Sequence, residues 1–566
     1  MNRTIVFTAT YNERSNIAAF CEKVLSLPGH YDLLVVDDNS PDGTGHLLDQ
    51  LASGNPRLHA IHRPRKLGLG SAHKLAMQFS MQRGYHTLIT MDADLSHNPE
   101  DILRLETALS DADFVIGSRY CAGSTTDYRG YRLYLSIVAN RLARLLLGLP
   151  VHETTSSFRA FRVNMLRLLD FQEINSNGYG FFMESIFRIH QAGFRCGEIP
   201  TNFKDRMAGT SKIPRLEIFT GVKNLLRLFL GRIFSSPVEY IPGKEFPVCC
   251  FCRSPFTVVK FNKKIVGDNH VMDFQCTSME HGSKPLVVQC LVCGLSFAPE
   301  GVYDDKLDAI YEDVVDARYI RDQAARQRTF AVVFDRIAPF LNMTPGTMLE
   351  VGAYCGLFGR EAKARGWHYV GVEPSRWSVA YARESLALDV RCGTLKQNID
   401  GLSGPYDAIV MWDVLEHLRD PMDLLTDARP LLKDSGVLFL SALDIDTWFP
   451  RFMGSRWPWM IDMHLFYFTH DTLDMMLTAA GFRLERIEKY TRFVYARYLF
   501  GKIAMLFPSF LRPIVVLLRL FVPVRMIIPF HFGDIRTFVI RKNLEYSSNE
   551  GSERLEKVRY DRPWKP

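Results

Sequence analysis

The chain has 566 residues, of which 47% are hydrophobic and 23% are charged, with a formal net charge of +6. The composition is that of an ordinary globular protein, and a positive charge spread along the chain gives no reason to expect a nucleic-acid partner. The length exceeds what one hydrophobic core supports, so we expect three or four structural units. The first residues show no secretory pattern, which favours a reducing, cytoplasmic compartment for the eleven cysteines.

Short β-branched runs alternate with amphipathic stretches from Ile5 to about Arg232. This alternation predicts an open α/β sheet that binds ligands at the carboxyl ends of its strands. Asp92 and Asp94 directly follow the apolar run TLITM, so both carboxylates are expected at that edge. Oxygen ligands of this kind suit Mg²⁺ or Mn²⁺, and such an ion would neutralise a diphosphate leaving group.

Four motifs, ATYNE, VVDDNSPDGT, KLGLGSAH and MDADLSH, follow one another in residues 9–97. In this order they resemble the dolichol-phosphate mannosyltransferase branch of the family-2 glycosyltransferases, over about residues 1–232. The resemblance implies a GT-A fold and inverting transfer of a hexose to a polyprenyl phosphate, with GDP-mannose as the expected nucleotide sugar. It also implies that the nucleotide-sugar and metal contacts come from matching positions, namely Tyr11, Glu13, Val36, Asp38, Asp92, Ala93 and Asp94.

The acceptor chemistry explains a need for cations. A polyprenyl phosphate is already anionic near neutral pH, so its attack on an anionic diphosphate needs charge neutralisation more than a strong base. The cations that match the same family and meet this need are Arg119, Arg132, Arg206 and Lys212. Ser136 and Asn140 also match, and they share one helical face with Arg132. Glu184 also matches, with its role open. For each of these four cations, the alternative to a role in the site is a solvated side chain on the protein surface.

Two segments bear on membrane attachment, although no apolar run reaches the roughly 20 residues that span a bilayer. Segment 503–530 is apolar and interrupted by three arginines and four prolines. It is expected either to lie in a membrane interface or to cover the second catalytic domain. Residues 214–234 predict an amphipathic helix that packs on its own domain, rests on lipid, or does both. We therefore expect a peripheral protein on the cytoplasmic face of a membrane.

A linker at 233–248 leads into a cysteine-rich region at 249–300. Cys249 and Cys252 form one CxxC pair, and Cys290 and Cys293 form another. Four thiolates so arranged predict a structural, tetrahedral zinc ribbon. The alternatives are a disulfide-rich loop, which the compartment disfavours, or exchange of one ligand for another nearby side chain: Cys250, His270, Cys276 or His281.

A second doubly wound pattern occupies 301–543, where the glycine-rich turn LEVGAYCG is followed about twenty residues later by Glu373. An acidic residue at that distance can bind two ribose hydroxyls. With MWDVLEHL and the later segments, this region resembles class I S-adenosylmethionine-dependent methyltransferases that carry an N-terminal zinc ribbon, over about 246–543. The resemblance places five residues around the cofactor: Glu350, Gly352, Gly356, Glu373 and Asp413. The alternative interpretation of this glycine-rich turn is a dinucleotide-dependent oxidoreductase. The segment VLEHL does not fit the pattern of such enzymes.

A hydroxyl methyl acceptor needs a base, for which His417 and His464 are the candidates, whereas a carboxylate acceptor needs none. The sequence thus predicts a bifunctional enzyme, whose methyl acceptor is hypothesised to be a saccharide or glycolipid, followed by a loosely ordered tail at 544–566. In the competing interpretation, the first domain elongates a polysaccharide or glycolipid hydroxyl. The methyltransferase-like half is then a non-catalytic binding module.

Overall fold

The computed structural model describes residues 3–169, 171, 174, 176, 178, 180–203, 215–234, 247–265, 283–304, 311–341, 344–499 and 522–546. Arg206, Lys212, His270, Cys276, His281 and most of 503–530 and of the tail lie outside these residues, as does the side chain of Arg132. The described chain divides into two compact units. The first comprises residues up to 258 together with 290–294, and the second comprises 259–289 and the chain from 295 onward.

The first unit is built on a seven-stranded sheet with the strand order β3-β2-β1-β4-β7-β5-β8. Its strands, with a short additional pair β6 and β9, are β1 Thr4–Thr10, β2 Tyr31–Asp37, β3 Leu58–His62, β4 Thr87–Thr90, β5 Phe114–Ser118, β6 Thr125–Thr126, β7 Arg159–Arg162, β8 Cys196–Pro200 and β9 Asn202–Phe203. Its helices are α1 Arg14–Leu25, α2 Thr44–Ser53, α3 Leu69–Gln82, α4 Asp101–Ala108, α5 Gly130–Leu147, α6 Val163–Leu168, α7 Gly180–Gln191 and α8 Arg215–Phe234.

The central strands of this sheet are continuous apolar runs because helices cover both faces. In β2, for example, Leu33 through Val36 are completely buried. β1 runs parallel to both β2 and β4, with Thr10 opposite Asp37 and Phe7 opposite Thr90. The chain therefore leaves β2, β1 and β4 at the same edge, where the strand order reverses, and this is the position at which open α/β sheets bind ligands.

Helices α5 and α8 pack on each other and carry large apolar side chains that remain exposed. These are Tyr131, Tyr134, Leu142 and Leu145 on α5 and Val222, Leu226 and Leu230 on α8. Within the described ranges, none of the helices combines the length and the apolarity that crossing a bilayer requires.

The second unit contains another seven-stranded sheet, with the order β17-β16-β15-β18-β19-β24-β21. The strands of this sheet and of smaller ones are β11 Lys264–Ile265, β12 Ser283–Lys284, β14 Ser296–Phe297, β15 Thr347–Val351, β16 His368–Glu373, β17 Val390–Cys392, β18 Tyr406–Met411, β19 Leu432–Leu443, β20 Phe466–Tyr467, β21 Phe482–Lys489, β22 Arg492–Tyr495, β23 Ile527–Phe530 and β24 Ile535–Lys542. Two strands, β10 Thr257–Phe261 and β13 Val287–Cys290, include residues of both units. The helices are α9 Pro299–Val302, α10 Ala317–Arg321, α11 Gln323–Ile337, α12 Leu357–Ala364, α13 Arg376–Leu386, α14 Leu395–Asn398, α15 Pro421–Leu431, α16 Trp448–Met453 and α17 His470–Ala479.

Strands β15 to β19 of this sheet are parallel, and β24 runs antiparallel between β19 and β21. Val351 lies opposite both Val372 and Met411, so the residues after β15, β16 and β18 emerge at one edge. The two sheets confirm the predicted α/β class, with a doubly wound fold in the second unit.

Candidate active sites and metal centre

The first candidate site lies where β1, β2 and β4 end. Each following turn contains a non-glycine residue with a positive φ: Asn12 at 62°, Asn39 at 57° and Leu95 at 58°. Such backbone is uncommon outside glycine and clusters at functional sites, because the surrounding structure must hold it in place. The three turns present Tyr11, Asp38 and the pair Asp92 and Asp94.

Asp38 is buried against a guanidinium that follows β3. Arg63 donates from Nε to Asp38 Oδ1 and from Nη1 to Ser71 Oγ at 2.7 Å, and its side chain is fully buried. Burial raises the pKa of Asp38, and the nearby Arg63 opposes that rise. The neighbouring Asp37 accepts from Thr10 Oγ1 at 2.9 Å and from Ser40 Oγ at 2.5 Å, which links the turns after β1 and β2.

The two aspartates after β4 differ in exposure. Asp94 is buried and accepts from the Ser96 backbone at 3.0 Å, whereas Asp92 is half-buried. His97 stacks on Phe158 with ring centroids 4.9 Å apart. Burial, with a contribution from Arg119, lowers the pKa of His97 to about 4, so its ring is neutral at pH 7. The oxygen atoms of these two carboxylates are of the kind that hold a hard divalent cation.

Arg119 is held by an ion pair. It donates from Nε to Glu153 Oε2 at 2.7 Å and from Nη2 to Thr155 Oγ1 at 3.0 Å, and Glu153 is completely buried. The rings of Tyr120, Tyr128 and Phe203 lie 5.2–5.5 Å from its guanidinium carbon. The orientation of Arg119 is therefore fixed, and its charge is already compensated by one carboxylate.

Helix α5 contributes the predicted polar residues next to this pair. Ser136 Oγ accepts from the Tyr120 hydroxyl at 2.5 Å. Asn140 is buried, and its Oδ1 accepts from the backbone and hydroxyl of Thr154 at 2.8 and 2.7 Å. Asn140 thus ties α5 to the loop that carries Glu153.

Glu184, whose role the sequence left open, lies on α7 and is completely buried. It accepts from Arg227 Nη2 of α8 at 2.6 Å and from Arg188 Nη2 at 3.3 Å, and it also accepts from the Ser176 backbone at 3.1 Å. These contacts join α7, α8 and the preceding loop, so Glu184 acts as an anchor in this structure.

The other predicted residues of the first site occupy supporting positions. The Glu13 backbone N–H donates to Thr44 Oγ1 at 3.1 Å, and Asn16 Nδ2 donates to Glu13 Oε2 at 2.8 Å. Val36 and Ala93 are buried in the strand and turn that lead to the edge. Tyr11 is 42% exposed and has Lys66 Nζ 4.6 Å from the centre of its ring.

The four predicted cysteines come together in the first unit. All are buried, with Cys249 and Cys293 sulfurs 3.7 Å apart and Cys252 and Cys290 sulfurs 3.5 Å apart. The four sulfur atoms all lie within 4.8 Å of one another. The backbone N–H groups of Val292 and Cys293 point at Cys290 Sγ, at 3.4 and 3.5 Å. Four converging sulfurs with N–H donors suit one tetrahedral Zn²⁺.

The cysteine-bearing segment is fastened to α3 of the same unit. Gln78 Nε2 donates to the Thr257 carbonyl at 2.5 Å, and the Phe79 and Phe256 rings have centroids 5.9 Å apart. The Leu291 N–H donates to the Phe256 carbonyl at 2.8 Å, which joins the two knuckles.

In the second unit, the glycine-rich turn after β15 requires both predicted glycines. Gly352 has φ 74° and Gly356 has φ 72°. A Cβ at Gly352 would lie 2.6 Å from Val414 Cγ2, and one at Gly356 would lie 2.7 Å from Leu388 Cδ1. The turn therefore combines left-handed backbone with close packing, as a turn that approaches a cofactor requires. Tyr354 also has a positive φ, 46°.

Two buried carboxylates flank this turn. Glu373, at the end of β16, accepts from the backbone N–H of Tyr354 at 2.8 Å and of Ser375 at 2.9 Å. Glu350 accepts from the Tyr369 hydroxyl at 2.5 Å. Burial raises the pKa of Glu373 to about 7 and that of Glu350 to about 8. Glu373 therefore holds the turn directly.

Asp413 follows β18 with φ 54°. Its Oδ1 accepts from Ser441 Oγ at 2.7 Å, and Arg492 pairs with its Oδ2. The three predicted cofactor elements, after β15, β16 and β18, thus meet at one edge of the sheet.

The two predicted bases lie close together just beyond Asp413. The rings of His417 and His464 have centroids 4.8 Å apart. Burial lowers the pKa of His417 to about 4, which leaves a neutral ring at pH 7. Beside them, burial and the nearby Asp413 raise the pKa of Glu416 to about 8.

Three site residues were missed by the sequence analysis. Arg63 had a usable signal, because it directly follows β3, whose end lies beside that of β2 in register. Glu416 also had one, because it directly precedes the predicted base His417. Glu153 had none, since its contact with Arg119 is not revealed by spacing.

Comparisons with known proteins found a family model for each of the two units. The family model described as glycosyl transferase family 2 matches residues 5–169, and one described as a methyltransferase domain matches residues 323–487. The chain is 42% identical over 214 residues to polyprenol monophosphomannose synthase of Mycolicibacterium smegmatis, covering 37% of this chain and 81% of that protein. It is 37% identical over 226 residues to undecaprenyl-phosphate mannosyltransferase of Micrococcus luteus, covering 40% of this chain and 93% of that protein.

Among solved structures, a SAM-dependent methyltransferase from Archaeoglobus fulgidus matches with a TM-score of 0.28 and 16% identity. The match covers 40% of this chain and 100% of that chain, and it adds nothing on activity.

Proposed function

The chain belongs to glycosyl transferase family 2 through its first unit, and its second unit matches the model of a methyltransferase domain. From this premise we propose that the first site transfers mannose from GDP-mannose to a polyprenyl phosphate, with inversion and with Mg²⁺ or Mn²⁺. The second site would methylate a saccharide or glycolipid acceptor.

One observation carries the first half of this proposal. Tyr11, Asp38 and the pair Asp92 and Asp94 emerge from three adjacent parallel strands at the switch point of the sheet. Carboxylates there would hold a divalent cation, which would supply positive charge for the leaving diphosphate. The two relatives named above, each covered over more than four-fifths of its length, support the polyprenyl phosphate acceptor and the mannosyl group.

The ion pair of Arg119 refines the role of the cations. Because Glu153 already compensates its charge, Arg119 would orient the phosphates through its N–H donors, and the metal would supply the net positive charge. Arg132, Arg206 and Lys212 stay predicted contributors, with Arg206 and Lys212 assigned to the nucleotide sugar. No strong base is required, since the acceptor phosphate is itself the nucleophile.

The test of the first site is a donor screen with polyprenyl phosphate and Mg²⁺ or Mn²⁺, read by mass spectrometry of the organic extract. Mannosyl lipid should form from GDP-mannose. Asp94→Asn should lose about a hundredfold or more in rate, as loss of a group that stabilises developing charge does. The matched Asp111→Asn, at an exposed position, should keep wild-type activity. Transfer to a saccharide hydroxyl with an inert polyprenyl phosphate would instead support an elongating enzyme.

For the second site, Gly352, Gly356, Glu373 and Asp413 line one edge and would hold S-adenosylmethionine, with Glu350 beneath the turn. The rings of His417 and His464 lie beyond Asp413, where an acceptor would meet the methyl group. The zinc proposed for the four cysteines would stabilise the fold and take no part in transfer.

Incubation with labelled S-adenosylmethionine and the purified glycolipid product tests the second site. Label should enter the lipid fraction, and Asp413→Asn should reduce cofactor binding measured by calorimetry, while Asp400→Asn at an exposed position should not. If the wild-type chain shows no cofactor binding at all, the second unit is a binding module.

We also propose that the protein attaches peripherally to the cytoplasmic face of a membrane. The support is the exposed apolar surface of α5 and α8, in the same unit as the site that would take a polyprenyl phosphate.

A further inference from the structure

Three ligand-type side chains converge in the second unit, separately from the four cysteines. One nitrogen of His417, one nitrogen of His464 and one carboxylate oxygen of Glu416 lie within 4.8 Å of one another. Ligand atoms around a tetrahedral ion are about 3.3 Å apart, given metal–ligand distances of about 2.0–2.2 Å. Small side-chain rotations would therefore bring the three atoms into coordination range.

The hydrogen bonds of the two rings indicate which nitrogen each would offer. His417 Nδ1 lies 3.0 Å from the Met463 carbonyl oxygen, and His464 Nδ1 lies 2.8 Å from the Trp459 carbonyl oxygen. A carbonyl oxygen only accepts, and the Tyr311 hydroxyl, 3.2 Å from His417 Nδ1, can accept as well, so a proton on each Nδ1 satisfies all of these contacts. In a neutral ring the lone pair is then on Nε2. Orientation by Nδ1–H donation to a backbone carbonyl is the usual support of a metal-binding histidine.

The carboxylate provides a second, independent observation. Glu416 is 1% exposed, and its Oε2 is buried without a hydrogen-bond partner among the described residues. Leaving a buried carboxylate oxygen unsatisfied is costly, and such oxygens normally pair with donors or coordinate metals. A cation between Glu416 and the two imidazoles would remove that cost.

The backbone holds the three residues in place. Glu416 and His417 lie in a single 3₁₀ turn, Leu415–His417, after β18. The Leu465 N–H donates to the Glu416 carbonyl at 2.7 Å, which brings the turn against the residue that follows His464. The cluster is therefore built by main-chain structure and does not depend on flexible surface side chains.

We propose that Glu416, His417 and His464 form a second metal site, which binds a divalent transition-metal ion such as Zn²⁺. Two imidazoles and one carboxylate form a known ligand set of metal sites with three protein ligands. Such sites keep a fourth position open for water or substrate. The site adjoins Asp413, so the open position would take an oxygen of the methyl acceptor. This last step rests on the proposed methyltransferase activity, whereas metal binding does not.

The experiment measures bound zinc per chain in the full-length protein after loading with Zn²⁺ and removal of loose metal, without cofactor or acceptor. Wild type should hold about one zinc more than Glu416→Gln or His464→Ala. His470→Ala, at an exposed histidine, should equal wild type. Equal zinc in wild type and both cluster variants would overturn the proposal.

Cobalt separates the two metal sites if a variant folds poorly. Thiolate-bound Co²⁺ absorbs intensely in the near ultraviolet, whereas Co²⁺ on nitrogen and oxygen ligands does not. In a chain carrying Asp94→Asn, which removes the cation site proposed for the first unit, titration with Co²⁺ should saturate the thiolate band and then bind a second equivalent with only weak visible bands. Binding that ends when the thiolate band saturates would equally overturn the site, whatever the methyl acceptor is.

Discussion

Arg119 donates from Nε to Glu153 at 2.7 Å, and neither side chain is more than 8% exposed. The two residues come from different segments of the first unit, the end of β5 and the loop after α5. Thr155 also donates to Glu153 Oε1, from its backbone at 2.9 Å and from Oγ1 at 2.7 Å. A buried pair with this many hydrogen bonds is costly to break on one side only, because the remaining charge stays buried.

Glu153→Gln should therefore destabilise the first unit by on the order of 3 kcal/mol. Arg119 holds the pKa of Glu153 below its ordinary value against the effect of burial. The carboxylate thus contributes stability above its ordinary pKa, and this contribution is lost as pH falls through the lowered value. Urea denaturation should show a large difference between variant and wild type at neutral pH and a smaller one in acid. The exposed Glu100→Gln should differ little from wild type at either pH.

Because of Glu350, the stability of the second unit should depend on pH with the opposite sign. Burial raises its pKa to about 8, so between about 4.5 and 8 the folded chain retains a proton that the unfolded chain releases. The free energy of unfolding of the second unit should fall as pH rises through this window, by up to a few kcal/mol from this group. Glu350→Gln keeps an acceptor for Tyr369 and removes the titration, so denaturation series at several pH values should show a flatter profile. An unchanged slope would contradict a buried, titrating Glu350.

The cysteine cluster allows a test with adjacent residues. Cys252 is one of the four converging sulfurs, whereas Cys250, two positions earlier, is not. Cys252→Ser should lose the zinc of that site and lower the melting temperature, because binding energy at a structural zinc site is folding energy. Cys250→Ser should retain the zinc and the melting temperature. Zinc loss in Cys250→Ser alone would indicate that this residue has replaced one of the predicted ligands.

The sequence predicted the parts of each site that follow from local pattern. Asp38 and Asp94 end apolar runs, so the parallel sheet brings them to one edge. The spacing of Cys249 with Cys252, and of Cys290 with Cys293, was sufficient to anticipate the cluster.

Pairings between distant segments were not predictable in the same way. Glu153 is 34 residues from Arg119. His464 lies beside His417 where a backbone hydrogen bond joins Leu465 to Glu416. Contacts of this kind depend on tertiary packing, and neither periodicity nor motif spacing encodes them. The predicted domain boundaries and the roles of individual site residues stay predictions.

Helix α8 provides a test of membrane attachment. Val222, Leu226 and Leu230 are 54%, 52% and 51% exposed and recur every four residues, so they share one face. On α5, Tyr131, Tyr134 and Leu145 are 69–77% exposed, and the two helices pack together. Burying two leucines in a lipid interface is worth about 3 kcal/mol, so Leu226→Glu with Leu230→Glu should weaken binding to anionic vesicles by at least about tenfold.

Co-sedimentation with phosphatidylglycerol vesicles measures this effect, and Leu544→Glu, at a 68% exposed leucine in the second unit, is the matched control. Mannosyl transfer to a short, water-soluble polyprenyl phosphate should be unchanged in the double variant, because neither leucine lies at the proposed site. Transfer to a long polyprenyl phosphate embedded in vesicles should fall in parallel with vesicle binding. Wild-type co-sedimentation by the double variant would show that α8 does not contact lipid, and the exposed face would then need a protein partner.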